Sequence, residues 1–549
     1  MTRTFTKTRV AVGFLAALVS AGGGLIAGQA KTRPTTAPAS APATAPAKVD
    51  INVGRATTFI LGPLNADGTV NYVAALNAQA SKGVTPDNNA AVGLLRAIGP
   101  EMLAQKVRPQ SFRALGIKPL PEKGAYFSSL EEHARPHEPK DPEKINAFRD
   151  KLYAALDAAM DGPWKTADHP IIASWLSANA EPLAQAVAAS KRPRYYVPLL
   201  SPSDPPQMLD VVIPSVVRYR TLAKALTARA MLRLDSGDIN GARADLLAVH
   251  RLGRLIGSGP TLIDRLIALA VDSLATQGDQ ALATSGKLSA RELKAHLKDL
   301  TALRPLPGMA EAVNRSERFF GLDAVQLCAR QGPAKALRDM AALQAPDDRK
   351  TSAKTFLTSL TTTSVDWNVV LVLMNHWYDR QVEAMTAKTF AQRQQAAEAF
   401  SRDLVRLKVE TTDPKKLTLS IVAIQLLGGP KAARTERGRL VGNLLVSILM
   451  PTLARARVME DRARMRGQLA ELALALAAFK AERGAYPKAL KELAPAYVKK
   501  IPEDLFINKP LHYAREGAGY CLYSVGSNMK DDGGKDDLEA GDHVVRAAR

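Results

Sequence analysis

The stretch Lys144–Met160, KINAFRDKLYAALDAAM, decides the fold class. Its apolar residues Ile145, Phe148, Leu152, Leu156 and Met160 recur every three or four positions and so share one helix face. The same period continues toward the C-terminus. Helices are expected at Ile171–Ala188, Val216–Leu234, Ile239–Leu255, Leu262–Leu282, Ala290–Leu303, Met309–Cys328, Ala334–Leu343, Val365–Met385 and Ala391–Leu407, punctuated by Gly, Pro and Ser. Residues 136–436 therefore read as a mainly α multi-helix array built from helical hairpins. Toward the N-terminus, residues 49–135 read as mixed. A short strand is expected over Thr57–Gly62, a turn at Asn65–Gly68, and helices over Asn71–Gln79 and Ala90–Gln105. Asn88-Asn89 caps the second of these helices and Gly99-Pro100 interrupts it.

The chain has 549 residues, enough for three or four domains at about 150 residues each. Hydrophobic residues make up 46% and charged residues 23%, which excludes wholesale disorder and collagen-like structure. Aromatic residues are 5%, as expected where helices pack through Leu and Ala. Two cysteines, Cys328 and Cys521, exclude a disulfide framework; they are either two buried thiols or one long-range bridge.

The first thirty residues read as an export signal: basic Arg3, Lys7 and Arg9, an apolar core Val10–Val19, and small residues ending Gly28-Gln29-Ala30. Extended to Ala27, the apolar stretch is just long enough to span a bilayer, so residues 1–30 are either a cleaved signal or an anchor. Residues 31–48 form a Pro/Ala/Thr-rich spacer with no core-forming side chains. The formal charge is +21, and removal of residues 1–30 takes three basic residues away to leave +18. No compact Lys/Arg cluster with interleaved aromatics accompanies it, so nucleic acid is not the expected partner; other envelope proteins or an anionic membrane surface are.

A search for catalytic wiring finds no G-x-S-x-G elbow, H-E-x-x-H, Walker loop or G-x-G-x-x-G. His133 and His137 are separated by Pro136 and do not share a helix face as metal ligands. Asp366, Asn375 and Asp379, with Trp367 and Trp377, read either as a buried polar network that fixes helix register or as a pocket with Asp366 or Asp379 as acid or base. Two apolar stretches, Leu417–Leu427 and Leu440–Leu453, fall short of the ~20 residues of a spanning helix and read as buried or interfacial.

The C-terminal stretch has a different order. A long helix from about Arg439 through Pro451 to Arg483 is stopped by Gly484-Ala-Tyr-Pro487, and Ala489–Leu493 makes a short helix. His512–Arg515 and Gly519–Val525 flank Glu516-Gly-Ala518 as a hairpin. Gly526–Asp542 follows, with six acids in the twelve positions from Asp531. Calcium takes six to eight oxygens on a loop able to wrap it, and six carboxylates this close repel unless something neutralises them. Counted from Asn528, the loop approaches an EF-hand register with Asp532, Gly533, Asp536 and Glu539, but Lys530 and a preceding strand set it apart.

Helix, then Gly484-x-Tyr-Pro487, then Pro502-x-Asp504, Lys509-Pro-Leu-x-Tyr513, Tyr523-Ser-x-Gly526 and an acidic glycine-rich loop: this order over residues 437–549 resembles the soluble domain of the type II secretion major pseudopilin. The resemblance implies a small C-terminal α+β pseudopilin-like module and calcium ligands at Asn528, Asp532, Asp536, Asp537 and Asp542. The sequence departs from that family in carrying the module last, without an N-terminal prepilin leader on it and without the glutamate after the cleavage site. The Val216–Leu255 pair, with Gly237, Ala242 and Leu246, resembles one tetratricopeptide unit without a 34-residue recurrence, so a helical hairpin is the expectation. The rest of the chain is similar to exported bacterial proteins that combine such parts and carry no assigned activity. The expected function is an exported, envelope-associated structural or interaction protein, periplasmic or anchored in the inner membrane facing the periplasm, with a calcium-stabilised C-terminal module. A type II secretion or pilus-like component and an exported hydrolase centred on Asp366/Asp379 are the alternatives.

Overall fold

A computed structural model describes residues 48–212, 216–336, 364–412, 429–450, 453–535 and 541–547. The expected signal segment, nearly all of the spacer, and the apolar stretch Leu417–Leu427 lie outside the described residues. The N-terminal segment opens with turns. Backbone N–H groups of Thr57, Thr58 and Phe59 all donate to the Gly54 carbonyl, so the strand expected over Thr57–Gly62 is not formed. Local turn bonds use the donors a sheet ladder would need. Helices α1 (Tyr72–Ala80) and α2 (Ala90–Ile98) follow, N-capped by Asn71 and Asn89, whose side chains accept from Ala74 N and Ala91 N. Next come α3 (Arg108–Ala114), α4 (Leu130–Ala134) and α5 (Pro142–Asp161), the last built on the periodic stretch Lys144–Met160.

The single helix expected over Ile171–Ala188 is two, α6 (Pro170–Ala178) and α7 (Ala180–Ala189). Asn179 ends the first. Its carboxamide accepts from Ser128 N (2.9 Å) and donates to Trp175 O (2.9 Å), a tertiary anchor that outweighs helix propensity at one position. The helical run continues with α8 (Val216–Asp235), α9 (Ile239–Gly257), α10 (Leu262–Thr284) and α11 (Ala290–Thr301). Capping boxes at Thr261/Asp264 and Ser289/Glu292 start the last two. The helix expected over Met309–Cys328 contains a π-helical turn, Val313–Glu317, before α12 (Arg318–Gln331). The body closes with α13 (Trp367–Thr386), α14 (Phe390–Thr412), α15 (Pro430–Leu449) and α16 (Ala454–Arg483). Gly484, at φ 79°, stops α16 in the left-handed conformation that glycine adopts without strain.

Beyond it lie two short antiparallel ladders. Strands β1 (Glu503–Asp504) and β2 (Lys509–Pro510) pair with each other. Strands β3 (His512–Glu516), β4 (Gly519–Ser524) and β5 (His543–Ala547) form an antiparallel sheet in the order β3-β4-β5. The molecule is thus mainly helical with a small antiparallel sheet at its C-terminal end, and the hairpin is where the sequence places it, with Tyr513 opposite Leu522.

Two apolar cores hold these elements. One gathers α2, α5–α11, α16 and the sheet; the other gathers α1, α12, α13 and α15, with Trp367, Tyr378 and Cys328 inside. Helix α16 is the spine of the first. From Leu469 to Ala478 every residue is buried except Glu471, so the helix is enclosed all round. Helices α10 and α11 cover part of it and strands β4 and β5 another part. Each of Leu469, Leu472, Leu474 and Leu476 contributes roughly 1.5–3 kcal/mol by leaving water. The apolar residues of the Leu440–Leu453 stretch are mostly buried in the second core, against α13 and α14. The long helix expected from Arg439 through Pro451 to Arg483 is two, α15 and α16, with Met450 extended after the first; by length and composition alone the span Pro430–Arg483 could cross a membrane, and 56% of its most apolar stretch is buried within the protein. Cys328 and Cys521 are both buried free thiols.

Candidate functional sites: the acidic loop and a buried histidine–aspartate cluster

The loop expected to bind calcium joins β4 to β5. Asp504, of the Pro-x-Asp motif, accepts from Val525 N (2.8 Å) and Phe506 N (2.9 Å), fixing the end of β4. Tyr513 donates to Pro487 O (2.8 Å), so two of the motifs that carry the resemblance meet in space. Within the loop, Asp542 is fully buried and accepts from Gly534 N (2.7 Å) and Asp532 N (3.3 Å). Asn528 donates to the Asp532 carboxylate (2.8 Å). Gly534, at φ 71°, runs so close to the sheet that a Cβ there would meet Arg546 and Cys521. Three of the five expected ligands, Asn528, Asp532 and Asp542, therefore come together on one loop. Asp536 and Asp537 lie outside the described residues. The three that are described offer hard oxygen donors of the kind calcium takes, although both oxygens of Asp542 already accept backbone N–H groups.

Asp366 and Asp379 do not form one constellation. Asp366 caps α13, accepting from Asn368 N (3.1 Å), while Asp379 lies thirteen residues on, about 20 Å along the axis. Asp379 instead accepts from the buried guanidinium of Arg318 (2.6 Å). The same guanidinium donates to Asn375 Oδ1 (3.0 Å) and Asn314 Oδ1 (2.8 Å) and stacks on Phe59. Asn375 in turn donates to Thr57 O (2.6 Å), so this network ties α12, α13 and the N-terminal turns into one register. Just before Arg318, the Glu317 carboxyl makes no hydrogen bond or ion pair among the described residues, and burial pushes its pKa up to about 7. A separate cavity of about 30 Å³, lined by Phe390, Arg393, Phe400, Arg457 and Asp461 among others, has room for about two waters.

The sequence reading missed a second concentration of charge, inside the first core. His250 of α9 places Nδ1 2.6 Å from Asp272 Oδ1 and Nε2 2.8 Å from Asp279 Oδ2, both on α10. His296 of α11 sets Nε2 2.7 Å from the other Asp279 oxygen. Arg254 donates to Asp272 (2.6 Å) and to the His250 carbonyl (2.9 Å). From α16, Glu471 feels the charges of this group, and among the described residues its carboxyl makes no hydrogen bond or ion pair. Burial works against a charged His250, but Asp272 and Asp279 outweigh it and raise its pKa to about 9. Burial likewise opposes ionised Asp279, and His250 and His296 overcome it to bring its pKa down to about 2. Glu471 is shifted upward by burial and by Asp279. The close approach that lets one imidazole reach two aspartates depends on Gly278, where a Cβ would collide with Leu246 of α9. One signal was available: Asp272 and Asp279 stand seven apart, on one face of a helix rich in Leu and Ala.

Two arginines treat Asp245 in a similar way. Arg229 grips it through Nε (2.9 Å) and Nη2 (2.7 Å), and Arg233 adds Nη1 (2.8 Å), locking α8 to α9. Comparison with protein families, with characterised proteins and with solved structures finds no match.

Proposed function

We propose that the chain is an exported, envelope-associated structural or interaction protein whose C-terminal module is stabilised by calcium. The observation that carries this reading is the β4–β5 loop, where Asn528, Asp532 and Asp542 stand together beside a sheet seated on α16. A calcium ion held there by those residues with Asp536 and Asp537 would fasten the loop to the sheet, and through the sheet to the spine of the helical body. The order of motifs shared with the major pseudopilin supports the same ligand set. The basic and apolar leader and the Pro/Ala/Thr spacer support export, and the +18 of the chain without its leader suits an anionic membrane surface or acidic envelope partners. A secretion-system component is the second reading, favoured by the apolarity of the span Pro430–Arg483.

The test is thermal unfolding of the full chain in millimolar calcium and then in chelator. Calcium at about 100 times its dissociation constant stabilises the native state by about 2.7 kcal/mol. The expected outcome is a calcium-dependent rise in Tm that Asp536→Ala/Asp537→Ala removes. An unchanged Tm in the wild type removes calcium from the reading, and fractionation that leaves the chain in the cytoplasm removes the envelope.

A further inference from the structure

The N-terminal turns carry an inference that rests on the envelope reading above and names the surface that meets the membrane. We propose that the turn Leu61-Gly62-Pro63-Leu64 is a membrane-contact tip. It seats its two leucines among the acyl chains of an anionic lipid bilayer, while Lys48 and Arg55 meet the headgroups.

Three observations support the tip. First, it is apolar and open. Leu61 is 64% exposed, the highest of any large apolar side chain among the described residues, Leu64 is 53% exposed, and Pro63 between them is exposed as well. A single exposed leucine is ordinary on a protein surface, but two with a proline in four consecutive residues form a patch.

Second, the turn is built to stay out of the core. Phe59 sits at φ 63°, a left-handed conformation that a residue with a side chain adopts only where its surroundings impose it. Its ring lies against the Arg318 guanidinium (4.3 Å) and edge-on to Phe319 (6.3 Å between ring centres). Buried Thr58 donates through Oγ1 to Ile60 O (2.8 Å), and its carbonyl accepts from Tyr72 OH (2.9 Å). On the far side Pro63 O accepts from Asn71 N (2.7 Å), and Leu64 bridges Val70. Both feet of the turn are therefore held in the body. A tip ordered in advance loses little freedom on binding.

Third, the preceding chain enters beside it. Val49 N donates to Asp67 O (3.0 Å), three residues beyond Leu64, so the spacer ends within about 10 Å of the tip. Residues 31–48 reach at most about 60 Å even fully extended. A leader kept in the bilayer thus holds the tip close to that same surface, where a weak contact is enough to orient the body. The charges agree. The two acids between residues 48 and 70 are engaged, Asp50 by Arg434 and Asp67 by Arg330, whereas exposed Lys48 and Arg55 have no acid paired with them among the described residues. Free cations beside an apolar tip suit anionic headgroups.

Cys328 and Cys521 are buried, so a thiol placed at the tip can be labelled selectively. The full chain with Leu61→Cys, carrying a polarity-sensitive fluorophore, is mixed with vesicles of phosphatidylcholine alone or with phosphatidylglycerol. With the anionic vesicles the emission is expected to shift to the blue and to be quenched by brominated acyl chains. The same fluorophore at Val405→Cys, an equally open apolar position on α14 at 59% exposure, stays in water. Leu64→Ser lowers the ratio of inserted to free tip about tenfold, and Arg55→Glu lowers it further at low salt than at high salt. A probe at residue 61 that stays in water with folded protein overturns the proposal, and so does equal entry at residue 405. A probe protected only in whole envelope extract also overturns it, and gives the tip to a protein partner. A chain that fractionates with the envelope while its probe stays in water removes the tip alone. Entry into vesicles by a chain that remains in the cytoplasm removes the envelope reading alone.

Discussion

The two acidic regions solve the same electrostatic problem by different means. The β4–β5 loop gathers its carboxylates within a few residues of chain, and its buried member, Asp542, is held by backbone N–H groups. The core cluster draws its groups from four helices and holds its buried aspartates with side-chain cations. Backbone donors come with any well-turned loop, so the first arrangement is local and tolerant of exchange around it. Side-chain cations must be delivered by tertiary packing, so the second is only as good as the fit of α9 against α10. The difference teaches where substitution should hurt.

The largest effect is expected at Asp279→Ala. It leaves His250 buried with half its compensation and His296 with no partner, and breaking a buried charged pair costs about 3–5 kcal/mol. Urea unfolding at neutral pH, read by circular dichroism, measures it; a loss under 1 kcal/mol would mean that water, not protein, already solvates the cluster. Asp542→Ala comes second. Two backbone N–H groups lose a charged acceptor, at a cost of about 1–3 kcal/mol. A loss as large as that of Asp279→Ala would erase the proposed contrast. Exposed Asp531 accepts from Gly533 N and Tyr523, and Asp531→Asn is expected to leave the urea midpoint unchanged.

A further effect depends on pH and concerns a buried acid that neither means has reached. Among the described residues no cation and no backbone N–H is bonded to the Glu317 carboxyl, and its folded pKa of about 7 lies above the ordinary 4.5. The folded state therefore holds this proton more tightly than the unfolded state. Stability from this group is full below pH 4.5, falls as pH rises toward 7, and is flat above. Glu317→Gln is expected to match the wild type at pH 4 and exceed it at pH 8, measured by Tm across that range. Equal Tm values at pH 8 would show that Glu317 reaches water.

This contrast also explains what the sequence made legible. Helices announced by apolar spacing, such as α5 and α10, are written locally and appear as expected. So does the hairpin, because alternation and the Glu516-Gly-Ala518 turn act over a dozen residues. Asn179 and the π-helical turn Val313–Glu317 were not legible, because Ser128 and the packing of other helices decide them. The Thr57–Gly62 strand failed for the converse reason, since local turn bonds prevail where no neighbouring strand is supplied. Asn528, Asp532 and Asp542 were singled out by what the pseudopilin resemblance implies for the acidic loop, and the hydrogen bonds that join them span at most ten residues. His250 could not be, since its partners lie 22 and 29 residues away in sequence and are chosen by which faces of two helices meet.

The enclosure of α16 has a consequence for time as well as for space. A chain made from its N-terminus produces α9, α10 and α11 long before Ala454–Arg483, yet those helices share their core with this late segment. Until Ala454–Arg483 arrives, the earlier helices have no spine to close on, and their apolar faces wait uncovered. Folding of the first core is thus tied to synthesis of this late helix. A product cut short before Ala454 carries an open, sticky half-core.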